Sequence, residues 1–236
     1  MDFSIVIPLY NEEENIKILL SEIFGSLNNT NYNYEIILVN DASTDNTLKI
    51  INQLKEDNNR VKVISNSTNL GQSFSICEAV KRSVSNTIVT IDGDGQNNPS
   101  DIKNLLEKYV KSDYSLVAGI RVKRKDSFLK KFSSKIANKI RMFILNDNCI
   151  DTGCSLKIFD KKIFLKFPKF KGLHRFMPAL FIGYGTKISF VEVDHRYRKA
   201  GKSKYGTFDR LIYGIIDLIR VIYIIKKIKW LNIYKI

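Results

Sequence analysis

The first half of the chain alternates short apolar runs with segments in which apolar residues recur at helical spacing. Strands are predicted over Phe3–Leu9, Tyr34–Val39, Val61–Ser65, Thr87–Asp92 and Ser115–Ile120. Helices are predicted between them, over Glu12–Leu27, Ser43–Lys55, Gly71–Val84 and Pro99–Val110. This order of elements indicates an α/β fold in which helices cover both faces of a mostly parallel sheet.

The pattern is less regular in the second half of the chain. It predicts a basic helix over Phe128–Leu145, a strand over Ser155–Phe159, a helix over Arg175–Phe181 and a strand over Lys187–Val193. No G-x-G-x-x-G sequence follows the first strand. A dinucleotide-binding fold of the usual kind is therefore disfavoured.

The segment Thr207–Lys229 has a strong helical pattern with a narrow polar stripe. The stripe consists of Arg210, Gly214, Asp217 and Arg220, and most other positions are large and apolar. Such a helix can be buried in a core, lie in a membrane interface or pack on a partner protein. Because Lys226, Lys227, Lys229 and Trp230 end the segment, the pattern favours the interface. We therefore predict a catalytic domain over residues 1–205 and an amphipathic interfacial tail over 206–236.

The chain has no run of 18 uncharged apolar residues, and its first residues lack the features of a secretory signal. We therefore expect a cytoplasmic protein that is peripheral at the inner face of the cell membrane. The three cysteines and two histidines lie at no metal-ligand spacing.

Polar residues crowd the predicted ends of the strands, where parallel sheets bind ligands. After the fourth strand, the carboxylates of Asp92 and Asp94 can turn toward one hard cation such as Mg²⁺ or Mn²⁺, which then binds a diphosphate. The small Gly93 would let a ligand approach the backbone. The alternative is a solvated acidic turn, since Asp and Gly form turns.

The first two strands end in similar polar segments. Pro8 is expected to stop the first strand, with Tyr10 stacking on a base and Glu12 binding polar groups. The alternative is helix capping, by Asn11 for the first helix and by Ser43 or Asp41 for the second. Three polar strand ends together favour one binding site.

The net charge of +14 indicates an acidic partner, namely nucleic acid, anionic lipid or a phosphorylated ligand. The excess of positive charge begins at Arg121, although a compositional bias toward Lys, Ile and Asn is an alternative cause. The segment Asp194–Tyr205 carries five basic residues and is interpreted as a phosphate clamp or a lipid-attracted loop. Nucleic acid is disfavoured, because no recognised module is present and the acidic site would repel phosphate without a metal.

Several motifs resemble those of inverting family 2 glycosyltransferases of GT-A fold, within the polyprenyl-phosphate (dolichol-phosphate mannose synthase-like) branch. The first group consists of I-P-L-Y-N-E-E-E-N at 7–15, N-D-A-S-T-D-N-T at 40–47, N-L-G at 69–71 and D-G-D-G-Q at 92–96. The second group consists of G-I-R at 119–121, D-T-G-C-S-L-K at 151–157, H-R-F-M-P-A-L at 174–180 and H-R-Y-R-K-A-G-K-S-K-Y-G at 195–206. The last two motifs are the most specific to that branch.

The resemblance implies transfer of a sugar from a UDP- or GDP-sugar to a polyprenyl phosphate at a membrane surface, where a membrane protein is a possible partner. It implies that the nucleotide sugar is bound by Pro8, Tyr10, Asn11, Glu12, Leu38, Asn40, Asp41, Asp92, Gly93, Asp94, Gln96 and Arg121. It implies that Asp92, Asp94 and Gln96 hold Mg²⁺ or Mn²⁺. It also implies catalytic roles for Asp94, Arg121, Arg198 and Lys204, with Ser203 beside the last three at the acceptor phosphate.

One departure from the family leaves the donor base open. Many members have two adjacent acids where this chain has Asn40-Asp41, and an asparagine carries no charge. The alternatives for function are a family 2 enzyme that acts on a glycan or protein acceptor, and a catalytically inactive membrane-associated relative.

A phosphate acceptor is already an anion at neutral pH, so it needs cations and no general base. The strong acidic candidate for a base after residue 120 is Asp151, and the interpretation predicts that Asp151→Asn keeps measurable turnover. His174 is interpreted as a hydrogen-bonded structural residue and His195 as a possible phosphate contact.

Overall fold

The computed structural model describes residues 1–28, 30–122, 138–197 and 207–233. The strands are β1 (Phe3–Leu9), β2 (Tyr34–Asn40), β3 (Val61–Ser65), β4 (Thr87–Thr90), β5 (Leu116–Arg121), β6 (Lys157–Asp160) and β7 (Ile188–Val193). The helices are α1 (Ile16–Leu27), α2 (Thr47–Asp57), α3 (Gln72–Arg82), α4 (Asp101–Val110), α5 (138–145), α6 (Lys161–Phe164), α7 (Leu173–Gly183) and α8 (Thr207–Ile233).

The seven strands form one sheet in the order β3-β2-β1-β4-β6-β5-β7. All neighbouring strands are parallel except at β6, which lies antiparallel between β4 and β5. The predicted α/β fold with a mostly parallel sheet is therefore confirmed. The sequence pattern predicted β6 as a strand but contained no sign of its direction or its place in the sheet.

Helices cover both faces of the sheet, as predicted. On one face, α1, α2 and α4 pack on alternate residues of the central strands, including Ile5, Ile7 and Leu38. On the other face, α3, α7 and α8 contribute to a second core that contains Val6, Ile37 and several phenylalanines. Since both faces are buried, the ligand-binding surface is left at the ends of the strands.

The predicted bounds of β1 are confirmed, but the expected role of Pro8 and the predicted start of α1 are wrong. Pro8 does not stop β1, which continues to Leu9. Strand β4 pairs with β1 only as far as Val6, so the missing N–H of Pro8 removes no hydrogen bond from that ladder. Helix α1 begins at Ile16 instead of Glu12, because residues 12–15 form a turn closed by the Asn15 N–H and the Glu12 carbonyl oxygen.

The helical prediction for the tail is confirmed, and α8 packs along α7. Val221 is fully buried, the carboxylate of Asp217 lies directly against Gly172, and Ile225 lies against Gly183. The opposite face exposes large apolar side chains, namely Tyr213, Ile215, Ile216, Ile219, Tyr223 and Trp230. The tail thus has one face in the core and one outside it. The sequence pattern had presented a core helix and an interfacial helix as alternatives, whereas α8 combines a buried face with an exposed apolar face.

None of the helices in the described part of the chain combines the length and apolar composition that a membrane crossing requires.

Candidate active site

The polar ends of β1 and β2 meet at one edge of the sheet, because these parallel strands are neighbours. The N–H of Asn11 donates to the hydroxyl oxygen of Ser43 at 3.1 Å. The side-chain amide of Asn11 exchanges hydrogen bonds with Thr44, whose N–H donates to Asn11 Oδ1 at 2.8 Å. Asn11 itself adopts a left-handed backbone conformation, with φ at 55°. The polar side chains therefore join the two strand ends into one wall of the site.

The carboxylate of Asp92 lies just beyond β4, at the centre of this edge. Its Oδ1 atom accepts a hydrogen bond from Nε2 of Gln72 at 2.6 Å. Its backbone N–H donates to Oγ of Ser155 at 3.1 Å, and Ser155 in turn donates to Oδ1 of Asn97 at 2.8 Å. Both the backbone and the side chain of Asp92 are thus held by residues from other parts of the chain.

The charges around Asp92 suit a divalent cation. Burial, and after it the nearby Asp94 carboxylate, raise the pKa of Asp92 to about 7 against the opposing effects of Lys157, Ser155 and Arg121. A pair of repelling carboxylates at a sheet edge is a hard oxygen donor set, as Mg²⁺ and Mn²⁺ prefer. The residues present therefore fit such an ion.

The ion would take its other ligands from outside the acidic pair. Within the described ranges, no group of three or more His, Cys, Asp or Glu side chains is arranged to hold a metal. Mg²⁺ keeps several waters and binds through one or two carboxylates plus substrate phosphates, so a two-carboxylate site is sufficient.

Gly93 has a role in packing, and its predicted contact with a ligand stays a prediction. A Cβ atom at this position would clash with the side chain of Leu9 and approach the carbonyl oxygen of Pro8 at 3.5 Å. The absence of a side chain therefore lets the 92–95 turn pack against the end of β1, and no ligand is needed to explain the glycine.

The segment after the acidic turn pairs with the start of the basic loop. The N–H of Arg196 donates to the Gln96 carbonyl oxygen at 2.9 Å, and Asn97 forms an antiparallel bridge with His195. The Gln96 side-chain nitrogen lies 3.4 Å from the Arg196 carbonyl oxygen, and the Gln96 N–H donates to Oδ1 of Asp94 at 3.2 Å. Gln96 thus lies beside Asp94, and its role as a metal ligand stays a prediction.

The proposed caps of the first two helices are wrong. The N-cap residues are Asn15 for α1 and Asn46 for α2, instead of Asn11 and Ser43 or Asp41. Glu12 is buried, and its Oε2 atom accepts a hydrogen bond from the Asn15 side chain at 2.9 Å. Tyr10 is half-buried at the same edge. The polar strand ends are therefore not explained by helix capping.

Asp41 fixes a loop of the protein, and its role as a nucleotide contact stays a prediction. Its carboxylate accepts hydrogen bonds from the N–H groups of Leu70 at 2.9 Å and Gly71 at 2.7 Å, and from the Asn66 side chain at 2.8 Å. The neighbouring Asn40 is also engaged, since its amide donates to Ser65 Oγ at 3.0 Å and accepts from the Ser43 N–H. Both side chains are buried.

Leu38 does not line the site. Its side chain is 0% exposed and lies in the core between the sheet and α1. Because β2 is central in the sheet, a residue two positions before its end remains covered on its own face. Pro8 is half-buried and closer to the edge.

Arg121 at the end of β5 is held by Asp151. Its Nε and Nη2 atoms each donate to the Asp151 carboxylate at 2.7 Å, and its backbone N–H donates to the same group at 3.1 Å. The guanidinium also lies against Gly153, where a Cβ atom would approach Nη2 to 2.7 Å. Because the charge of Arg121 acts on Asp92, this cation belongs to the same site.

The other predicted cations, Arg198 and Lys204, lie outside the described residues, as does Ser203. The first arginine of that loop is described. Arg196 donates to Glu22 at 2.6 Å and to the side chain of Asn98 at 2.7 Å. Arg196 therefore helps fix the start of the loop to α1 and to the acidic turn.

His174 has the structural contacts that its sequence position suggested. Its Nδ1 atom and the Ser73 hydroxyl lie 2.7 Å apart, and its backbone N–H also donates to that hydroxyl. Burial lowers the pKa of His174 well below its ordinary value, and the charges of Arg175 and Lys157 lower it further. The ring is therefore neutral at physiological pH.

Three residues around Asp92 had no predicted role, namely Gln72, Ser155 and Lys157. Lys157 is buried, and its Nζ atom donates to the Cys154 carbonyl oxygen. Ser155 and Lys157 belong to the D-T-G-C-S-L-K motif. The motif was recognised in the sequence, but no role was predicted for these two residues. Gln72 lies directly after N-L-G and had no comparable signal.

Comparison with known proteins identifies the family. Residues 4–167 match the family described as Glycosyl transferase family 2. The dodecaprenyl-phosphate galacturonate synthase of Rhizobium johnstonii is 32% identical over 232 residues, which cover 96% of this chain and 68% of that protein. The undecaprenyl-phosphate 4-deoxy-4-formamido-L-arabinose transferase of Shewanella sediminis is 33% identical over 222 residues, which cover 93% of this chain and 66% of that protein. The chain spans about two thirds of the length of these relatives.

Solved structures show the same fold at low sequence identity. The mannosyl-3-phosphoglycerate synthase of Rubrobacter xylanophilus aligns with a TM-score of 0.72 at 13% identity, over 93% of this chain and 73% of that one. The glucosyl-3-phosphoglycerate synthase of Mycobacterium tuberculosis, in complex with Mn²⁺, UDP and phosphoglyceric acid, aligns with a TM-score of 0.67 at 15% identity, over 95% of this chain and 78% of that one. The chain is therefore a glycosyltransferase of GT-A fold and belongs to glycosyl transferase family 2.

Proposed function

We propose that the protein transfers a sugar from a nucleotide-sugar donor to a polyprenyl phosphate, with inversion at the anomeric carbon. The observation that carries this proposal is the placement of two carboxylates, Asp92 and Asp94, in one site with the cation of Arg121. An acidic pair can hold a divalent ion on the donor diphosphate, and a separate cation can receive the acceptor phosphate. The names of the Rhizobium and Shewanella relatives, which both specify a polyprenyl phosphate, support the acceptor.

Asp92 and Asp94 would hold Mg²⁺ or Mn²⁺, with Gln96 as a further candidate ligand. The ion would stabilise the negative charge that develops on the leaving diphosphate. The chain's own residues support this role, because Gln72 and Ser155 fix Asp92 before any ligand binds. The UDP and Mn²⁺ bound in the Mycobacterium tuberculosis structure are consistent with this proposal.

Arg121 would bind and orient a phosphate, and Asp151 would keep its guanidinium in place. Two of its donors point at Asp151, so the plane of the guanidinium is fixed relative to the sheet edge. Lys204 and Arg198 are proposed as further phosphate contacts. A phosphate acceptor needs no proton removed at neutral pH, which removes the need for a general base in this step.

The proposed reaction can be tested by lipid extraction after incubation with labelled nucleotide sugars. We expect label to move from a UDP- or GDP-sugar into the organic phase when undecaprenyl phosphate and Mn²⁺ are both present, and to stay aqueous when EDTA replaces the metal. Undecaprenol, which has the same polyprenyl chain but no phosphate, is the matched control and is expected to accept no label. Label in a water-soluble saccharide, with undecaprenyl phosphate inert, would contradict the acceptor and favour the glycan-directed alternative.

We further propose that the protein is peripheral at the inner face of the cell membrane. The exposed face of α8 is apolar and is followed by Lys226, Lys227 and Lys229, which suit an anionic lipid surface. A second apolar surface lies on α5, where Phe143 is 89% exposed beside Ile140 and Ile144. Residues 121–141, which end within α5, include nine Lys or Arg residues and one acidic residue.

Substitution of the exposed face of α8 is expected to weaken membrane binding. Deletion of the tail is a poor test, because Val221 and Asp217 pack against the rest of the protein. The double change Ile219→Ser and Tyr223→Ser removes only exposed apolar surface, and we expect the fraction bound to phosphatidylglycerol vesicles to fall about tenfold with an unchanged Tm. Ile18→Ser, at an exposed position of α1, is the matched control. Equal sedimentation of both variants with vesicles would indicate that this face of α8 does not contact lipid.

A further inference from the structure

The first turn of α3 reaches into the acidic site. Gln72 is the first residue of this helix and is half-buried. Its side-chain nitrogen donates to Oδ1 of Asp92 at 2.6 Å, which is a short distance for an N–H to carboxylate hydrogen bond. One of the two carboxylate oxygens of Asp92 is thus already engaged by Gln72.

The position of Gln72 is itself fixed from two sides. Before it, Gly71 has φ at +89° and donates its N–H to Asp41 Oδ2 at 2.7 Å, so the chain enters the helix through a conformation that favours glycine. After it, the Ser73 hydroxyl donates to the Lys171 carbonyl oxygen at 2.7 Å. The amide of Gln72 therefore lies on a segment tied both to the end of β2 and to the loop before α7.

The backbone of Asp92 is also fixed by the protein. Its N–H donates to Ser155, and the carbonyl oxygen of Ser155 accepts from the Thr90 hydroxyl at 2.7 Å. With the backbone held in this way, the short hydrogen bond from Gln72 restricts the rotation of the carboxylate about its last torsion angle. The side chain cannot turn that oxygen elsewhere without losing this part-buried hydrogen bond.

We propose that Gln72 is a positioning residue that orients the Asp92 carboxylate toward a divalent cation. This inference rests on the proposed metal site and adds to it a residue that contacts a metal ligand, Asp92, and not the metal itself. Partners that hydrogen-bond to metal-binding side chains fix ligand orientation, and their loss typically costs about 10–100-fold in metal affinity. Asp41 supports Gln72 indirectly, because its carboxylate accepts hydrogen bonds from the N–H groups of Leu70 and Gly71, the two residues before Gln72.

The test is a measurement of Mn²⁺ affinity that needs no turnover. Gln72→Met keeps the length of the side chain but removes its donor, and Gln72→Ala removes the donor without adding bulk. In calorimetric titration of the full chain with MnCl₂ in the presence of UDP or GDP, which supply the phosphate ligands, we expect both variants to bind Mn²⁺ about 10–100-fold more weakly than the unsubstituted protein. Their Tm without metal is expected to stay close to that of the unsubstituted protein, because the position is half-buried at a helix start. Gln53→Met, at an exposed position of α2, is the matched control and is expected to leave the affinity unchanged.

The outcomes separate this inference from the proposed function. If the unsubstituted protein binds Mn²⁺ and Asp92→Asn abolishes the binding, the metal site stands, and unchanged affinity in folded Gln72→Met or Gln72→Ala would then overturn the role of Gln72 alone. If Asp92→Asn binds Mn²⁺ as tightly as the unsubstituted protein, or if no binding occurs at all, the metal site and the role of Gln72 are both overturned. A weakening in Gln72→Met that is matched by Gln53→Met would also count against the inference.

Discussion

Asp94→Asn and Asp92→Asn are each expected to lower sugar transfer by about 10³-fold or more while leaving the fold intact. A metal that stabilises the leaving diphosphate contributes several kcal/mol, and each ~1.4 kcal/mol corresponds to a factor of ten in rate. Asparagine keeps the shape of aspartate but removes the charge that holds the cation. The change also removes the repulsion between the two carboxylates, so neither variant is expected to unfold.

Two measurements check this expectation. The rate of transfer is measured with saturating Mn²⁺, and the Tm is measured with UDP or GDP in the presence and absence of Mn²⁺. The unsubstituted protein is expected to gain Tm from the combination of nucleotide and metal, and the variants are expected to gain little. Asp113→Asn, at an exposed position where the carboxylate pairs with Lys187, serves as the charge-matched control. Near-normal transfer in both Asp92→Asn and Asp94→Asn would show that the acidic pair does not hold the metal.

Arg121→Lys is expected to lower transfer by about 10²-fold, and Asp151→Asn by about tenfold. Lysine keeps the charge but cannot make two parallel hydrogen bonds to one carboxylate, so the cation loses its fixed direction. Asparagine at 151 can still accept a hydrogen bond, so Arg121 keeps part of its support. Removal of one fixed donor from a charge-stabilising site typically costs about 10²–10³-fold in rate, which sets the scale of the larger effect.

The pH dependence of the Asp151→Asn variant distinguishes positioning from general-base catalysis. If Asp151 only holds Arg121, the pH–rate profile is expected to keep the shape seen for the unsubstituted protein at a uniformly lower rate. If Asp151 removes a proton from the acceptor, the variant would lose its acidic limb and most of its activity. Arg82→Ala removes a surface arginine paired with Glu78 and is the control for a general loss of positive charge. Arg198→Ala and Lys204→Ala are expected to lose most of the turnover, as the sequence alone predicts.

The periodic pattern of the chain determined the elements of the fold, because each strand and helix is specified by residues close together in sequence. β3 was predicted with its observed bounds, and β1 differs only in the expected role of Pro8. The acidic pair at the end of β4 was recognisable for the same reason. A sheet whose helices cover both faces leaves only the strand ends for polar ligands, so the location of the site followed from the class of fold.

The order of the strands could not be derived from local patterns. Strand β6 follows β5 in sequence but lies antiparallel between β4 and β5. Its apolar residues are suited equally to a parallel or an antiparallel neighbour, and its place depends on contacts with residues more than 30 positions away. This insertion matters for function, because it brings Ser155 and Lys157 next to Asp92.

The roles of individual polar residues were likewise decided by tertiary contacts. Asp41 resembled a ligand contact in sequence, yet its carboxylate satisfies the N–H groups of Leu70 and Gly71. Gly93 is required by the side chain of Leu9, which lies more than 80 residues earlier in the chain. Whether a polar group binds a ligand or another part of the protein depends on which hydrogen-bond partners the fold places within about 3 Å of it. Such a hydrogen bond joins residues that are distant in sequence, so it leaves no periodic pattern in the sequence.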